Sequence, residues 1–156
     1  MDHSRRKALQ TSGGITIMAL AAAAGLFKTG AAYAGGWNRP AFEAKNLQDT
    51  VKALGGMPAM ESKDISITSP DIAENGAVVQ VAVSSKLAKT ESIAILVEKN
   101  PNALSANFFL LDNTEPFILT RVKMAETSNV YALVKADGKY FYAVKEVKVT
   151  LGGCGG

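Results

Sequence analysis

From Ile65 to Leu151 the apolar residues recur at every second position, in short runs broken by turn residues. That period leaves few folds open, because it puts successive side chains on opposite faces of a strand. Val79, Val81 and Val83 line one face of such a strand, and Ile118, Val122 and Met124 alternate with Leu119, Arg121 and Lys123 in another. Ile93, Ile95 and Val97 point one way while Ala94 and Leu96 point the other. A strand apolar on both faces is expected to be central and covered. Phe108 to Leu111 is a further short apolar run, and Asp137-Gly138 reads as a two-residue turn joining a strand over 130–136 to a long one from Tyr140. In that last strand Tyr140, Tyr142 and Val144 share one parity, whereas Val147, Val149 and Leu151 share the other. A one-residue slip exchanges faces, so a bulge or a switch between sheets is predicted near Lys145-Glu146. Roughly seven short strands with turns between them predict a mainly β domain, an immunoglobulin-like antiparallel β-sandwich over residues 58–151. The Cys…Trp…Cys hallmark of antibody domains is missing, and Trp37 lies outside the sandwich.

Residues 35–57 read as an N-terminal extension with a short helix. Pro40 suits a first helical turn, Phe42, Leu47, Val51 and Leu54 follow near helical spacing, and Gly55-Gly56 supplies the stop.

Residues 1–34 have the order of a secretory signal peptide: Arg5-Arg6-Lys7, an apolar stretch of small residues from Gly13 to Phe27, then Ala32-Tyr33-Ala34 as a cleavage pattern. The paired Arg5 and Arg6 point to the twin-arginine export route and hence to the periplasm. The rival reading, a retained membrane anchor, needs about 20 apolar residues, and this stretch is shorter. The leader carries four of the 17 basic residues and one of the 14 acidic ones, so the mature chain has 13 of each. The formal charge of +3 therefore belongs to the leader, and no basic patch argues for nucleic acid. No membrane contact is expected after cleavage.

The lone histidine, His3, leaves with the leader. Without it a Ser-His-Asp or Cys-His arrangement cannot form, and neither can histidine-ligated zinc, copper or haem. One cysteine cannot build a multi-thiolate metal site. An all-carboxylate ion site stays open, but no Asp-rich loop suggests one. No cofactor is expected in this chain.

The chain ends Gly152-Gly153-Cys154-Gly155-Gly156. Glycine loses more conformational freedom on ordering than any other residue, so residues 152–156 are expected to form a flexible arm bearing one thiol. Such an arm is thin enough to enter a narrow cleft in another protein. No basic side chain or helix terminus in it would lower the thiol pKa from its ordinary value of about 8.5. Cys154 thus reads as a passive attachment point, activated only by whichever site receives it: a carrier rather than an enzyme. A redox enzyme would need a resolving thiol or an activating neighbour, and the mature chain has neither. A disulfide-linked dimer through Cys154 stays open as the structural alternative. Prenylation fails, because Cys154 is third from the end. The terminal Gly155-Gly156 also fits ubiquitin-like sulfur carriers, but those are small cytosolic α+β domains.

The Gly152–Gly156 terminus, with the stretches 42–45, 70–76, 95–101 and 145–150 and the twin-arginine leader, resembles the SoxY family, the cysteine-bearing subunits of SoxYZ sulfur carriers. The resemblance implies covalent attachment of thiosulfate-derived sulfur at Cys154. It implies a heterodimer with a SoxZ-like β-sandwich subunit. It further implies successive visits to a c-type cytochrome, SoxAX, a di-manganese hydrolase, SoxB, and a sulfane dehydrogenase or other sulfur-handling machinery. Haem and metals would belong to those partners.

Overall fold

A computed structural model describes residues 38–152. Two short helices come first, α1 (Arg39–Glu43) and α2 (Leu47–Ala53). The apolar stripe reads as one helix, but the structure breaks it. Ala44 turns extended, with φ −62° and ψ 142°, and Asn46 opens a new helix by accepting the Asp49 N–H on its side chain at 2.8 Å. Asn38 caps α1 in the same way, accepting from the Ala41 N–H. Gly55, at φ +77°, ends α2 in the left-handed conformation that glycine adopts without strain.

Nine strands follow among the described residues: β1 (Met60–Glu61), β2 (Ile65–Thr68), β3 (Ile72–Ala73), β4 (Val79–Ser85), β5 (Thr90–Val97), β6 (Leu104–Phe109), β7 (Phe117–Val122), β8 (Ser128–Ala136) and β9 (Lys139–Val149). The larger sheet has the order β1-β9-β8-β5-β6, with β3 also paired to β9, and the smaller sheet has the order β2-β4-β7. All neighbours are antiparallel except β1 and β3, which lie parallel to β9. The mainly β sandwich is therefore present. The apolar run 108–111 overlaps the end of β6 rather than making a strand of its own: Leu104–Phe109 pairs with β5, and the Leu110 N–H still donates to the Glu91 carbonyl at 2.9 Å.

Two cores explain the pattern. Between the sheets, Val79, Val81 and Val83 pack with Ile93, Ile95, Val97, Val130 and Val134. On the outer face of the larger sheet, Ala94, Leu96, Leu133 and Tyr140 pack with Ala41 and Val51 of the helices. The order from one side to the other is sheet, sheet, helices. This is why Ile93–Val97 is apolar on both faces.

The same layering corrects the expectation for β9. It pairs with β8 in unbroken register from Ala136↔Lys139 to Ser128↔Val147, with no bulge or sheet switch at Lys145-Glu146. Tyr140 packs in the helix-side core, while Phe141, Ala143, Val147 and Val149 pack in the sandwich core. The change of parity reflects cover on the outer face near the start of the strand only. What does change along β9 is its second neighbour. β1 pairs at Phe141 and Tyr142, and β3 pairs at Lys148 and Val149. Between them the Lys145 ammonium donates to the Ser69 carbonyl at 2.6 Å and pairs with Asp71 at 2.9 Å.

The Asp137-Gly138 turn forms as expected, with φ +48° and +73°, the two positive values of a type I′ hairpin.

Candidate functional site

The end of β9 is held from two sides, and this fixes the position of residues 150–152, the last that the structure describes. On one side, β3 and the turn after it follow the strand. The Lys148 N–H donates to the Asp71 carbonyl at 2.9 Å and the Thr150 N–H to the Ala73 carbonyl at 3.1 Å. The Thr150 hydroxyl donates to the Glu74 carbonyl at 3.0 Å. Asn75 folds the turn back by accepting the Ala77 N–H on its side chain at 2.8 Å. That places Gly76 to bridge two segments. Its N–H donates to the Leu151 carbonyl and its own carbonyl accepts from the Met124 N–H, each at 2.7 Å.

On the other side lies the turn between β7 and β8. The Thr127 hydroxyl oxygen accepts the Val149 N–H at 2.9 Å. Asn100 holds this turn like a staple. Its Nδ2 donates to the Lys123 carbonyl at 2.8 Å, and its Oδ1 accepts the Ala125 N–H at 3.0 Å. Met124, between those two residues, is fully buried. Gly152 packs directly on the Ala125 carbonyl, with no room for a side chain. Leu151 stays 67% exposed beside it.

Of the site residues expected from sequence, only Gly152 falls within the described residues. Gly153, Cys154, Gly155 and Gly156 lie outside them, as do Arg5, Arg6 and the whole leader 1–34. Of the residues around Gly152, Gly76 and Asn100 fall in the stretches 70–76 and 95–101 that carry the family resemblance, though with no role attached, and Ala125 and Thr127 were not singled out. Asn75-Gly76 is a recognisable turn pair, but nothing in the sequence says that it meets the C-terminus.

A groove of about 950 Å³ lies elsewhere, beside Lys89, Glu91, Asp112, Asp137 and Gly138. It sits at the hairpin end of β9. An 11-residue strand is roughly 35 Å long, so this groove is at the opposite end of the sandwich from Gly152. Three of its four charged lining residues, Lys89, Glu91 and Asp137, are paired. Lys89 pairs with Asp137 at 2.9 Å, and Lys135 pairs with Glu91 at 2.6 Å. The Lys135 ammonium, and the Gly138 N–H that donates to the Glu91 carboxylate at 2.8 Å, hold that carboxyl below its ordinary pKa. The paired Lys89 does the same for Asp137. These contacts brace the hairpin. Among the described residues no three Asp, Glu, His or Cys side chains converge as a metal ion would require. No described helix is long and apolar enough to cross a membrane.

Comparison with known proteins points in one direction. A family model described as sulfur oxidation protein SoxY matches residues 51–154. The solved structure of the sulfur carrier protein SoxY from Chlorobium limicola f thiosulfatophilum aligns at 38% identity and a TM-score of 0.60, covering 67% of this chain and 94% of that one. A superoxide reductase (neelaredoxin) from Ignicoccus hospitalis aligns at 21% identity and a TM-score of 0.48, covering 55% of this chain and 79% of its own. No curated protein matches by sequence.

Proposed function

Because this chain belongs to the SoxY family of sulfur oxidation proteins, we propose that it is a periplasmic sulfur carrier that holds thiosulfate-derived sulfur covalently on Cys154. The observation that carries this reading is that the family match runs through to residue 154, the one cysteine of the chain. Beside it stands the geometry at the end of β9, where the chain is bonded down as far as Leu151 and the cysteine follows three residues later.

The chemistry balances with the chain as a passive partner. Loading joins the Cys154 thiol to thiosulfate, giving Cys154–S–S–SO₃⁻, one proton and two electrons. The electrons pass to a c-type cytochrome of the SoxAX kind. Hydrolysis of the terminal sulfone by a SoxB-like enzyme consumes one water, releases sulfate and a proton, and leaves Cys154–S–SH. A sulfane dehydrogenase or other sulfur-handling enzyme then clears the persulfide. The sulfur–sulfur bond survives transfer between enzymes and remains open to thiol or hydrolytic attack. Flanking glycines give the thiol little steric cover, so several active sites can accept it in turn. A SoxZ-like subunit would complete the carrier, and the twin-arginine leader would export it. In this reading the chain catalyses nothing, and haem and metals belong to its partners.

The test is the intact mass of the exported protein, purified without reductant from cells given thiosulfate, before and after dithiothreitol. Reductant-removable adducts on Cys154 matching sulfane sulfur or a thiosulfate remnant are expected. A bare thiol together with a simple disulfide dimer would overturn the carrier reading in favour of a structural cysteine.

A further inference from the structure

The glycine at 152 is explained by closeness rather than by freedom. A Cβ built there collides with the Ala125 carbonyl oxygen and comes within 3.3 Å of the carbonyl carbon behind it. Both obstacles are backbone and cannot rotate aside as a side chain would. Ala125 cannot easily retreat either, since its N–H and the Lys123 carbonyl are both bonded to Asn100. Nor can Leu151 move the other way without cost. Its carbonyl is held by Gly76, whose own carbonyl is held by Met124, the neighbour of Ala125. The hydrogen bonds form a loop that closes on the residue against which Gly152 rests.

We infer that Gly152 is a fixed wedge of the domain between the 73–76 and 123–127 turns, and that Asn100 is the positioning residue holding the wedge. The functional consequence rests on the carrier reading above; the wedge itself does not. With Gly152 fixed, only Gly153 stands between Cys154 and the fixed backbone, so the Cys154 Cα stays within about 7 Å of that of Gly152. A partner's reacting centre must therefore come down to the two turns, which become the surface against which the mouth of its cleft seats.

Native-state hydrogen exchange of the Gly76 amide, on the full chain without sulfur cargo, tests the wedge. Gly152→Ala is expected to speed this exchange at least tenfold, because the added methyl can be relieved only by parting Leu151 from Gly76 or Ala125 from Asn100. Gly153→Ala is expected to leave it within twofold of the unmodified protein. In an Asn100→Ala background the 123–127 turn can give way, and Gly152→Ala should then change the rate less than threefold. Equal rates for the two alanine variants would overturn the wedge. An undiminished effect in the Asn100→Ala background would overturn the role of Asn100. If Gly152→Ala alone yields no folded protein, recovery of folded protein on adding Asn100→Ala supports the wedge, and no recovery overturns it. Failure here leaves Gly76 exchange unmoved, whereas failure of the carrier reading appears only as a missing adduct in the mass spectrum.

Discussion

The carbonyl oxygen of Leu151 accepts the amide hydrogen of Gly76 at 2.7 Å, joining the segment after β9 to the turn that follows β3. Together with Thr127 on the opposite side, this contact makes the end of β9 a continuation of the sheet rather than a loose end.

Replacing Thr127 by valine should show how much that side of the clamp matters. The shape is nearly kept, but the half-buried Val149 N–H loses the hydroxyl oxygen it donates to at 2.9 Å. A buried donor left without a partner costs about 1–3 kcal/mol. The urea midpoint of Thr127→Val should fall accordingly with the slope unchanged. A midpoint equal to the parent protein would mean that water replaces the hydroxyl at no cost.

Cys154→Ser separates cargo from structure. Tetrathionate should convert the parent thiol to Cys154–S–S–SO₃⁻ with release of thiosulfate and a proton, seen as one reductant-removable adduct by mass. The serine variant should take none, and its melting temperature should stay within about 1 °C, as expected of a near-isosteric change in a glycine-rich segment. A large loss of stability would show that the thiol is also a structural group.

Gly56 lies against the Tyr140 ring so closely that a Cβ there would overlap it, and the Val51 methyl is 3.0 Å away on the other side. Tyr140 is itself buried under the helices, so its ring has little room to move. Gly56→Ala should cost about 1–3 kcal/mol as an overpacking change. The Cβ at Gly138 meets nothing, but the φ of +73° there strains an alanine for a different reason. Crystal or solution structures of the Gly56→Ala variant should show the displacement at Tyr140 and α2, not at the hairpin.

Burial pushes the Tyr140 hydroxyl above its ordinary pKa. Tyr131 is also raised, first by burial and then by the charge of Glu98. The native state therefore holds these protons more tightly than the unfolded chain, whose tyrosines titrate near about 10. Their contribution is fully present below that pH and is lost as pH rises from there through the raised folded values. Urea midpoints should fall as pH rises above about 10, and Tyr140→Phe should make the fall shallower while losing only the 3.3 Å bond to the Leu54 carbonyl at neutral pH. An identical alkaline slope in Tyr140→Phe would assign the effect to other groups.

Much of the fold could be read from single strands. The two-faced run Ile93–Val97 identified a covered central strand, and Asp137-Gly138 identified the hairpin turn between β8 and β9, because both signals are local. What escaped depended on partners distant in the chain. β1 and β3 are two residues each, too short to show any period, and exist only because β9 offers them an edge. The helix break at Ala44 was decided by Asn46 capping a new turn, a choice that an apolar stripe spanning both helices does not reveal. The change of parity in β9 looked like a bulge because the cover on its outer face ends partway along the strand. For the candidate site, the tail announced Cys154 through composition alone, whereas Asn100 and Ala125 carry no signature, since their importance lies in meeting residue 152.

Every pairing partner of β9 precedes it in the chain, and two of them, β1 and β3, are paired to it across most of the domain's length. During synthesis the larger sheet thus lacks its second strand until the final stretch of the domain has left the ribosome. β8 would wait with an open edge, and the short β1 and β3 segments would have nothing to pair with. Contacts this distant in sequence close slowly. Completion of the fold and delivery of the cysteine-bearing terminus are therefore one event: a chain truncated within β9 would lose its handle and its sheet together, so a stable domain lacking its thiol should not accumulate from premature termination there.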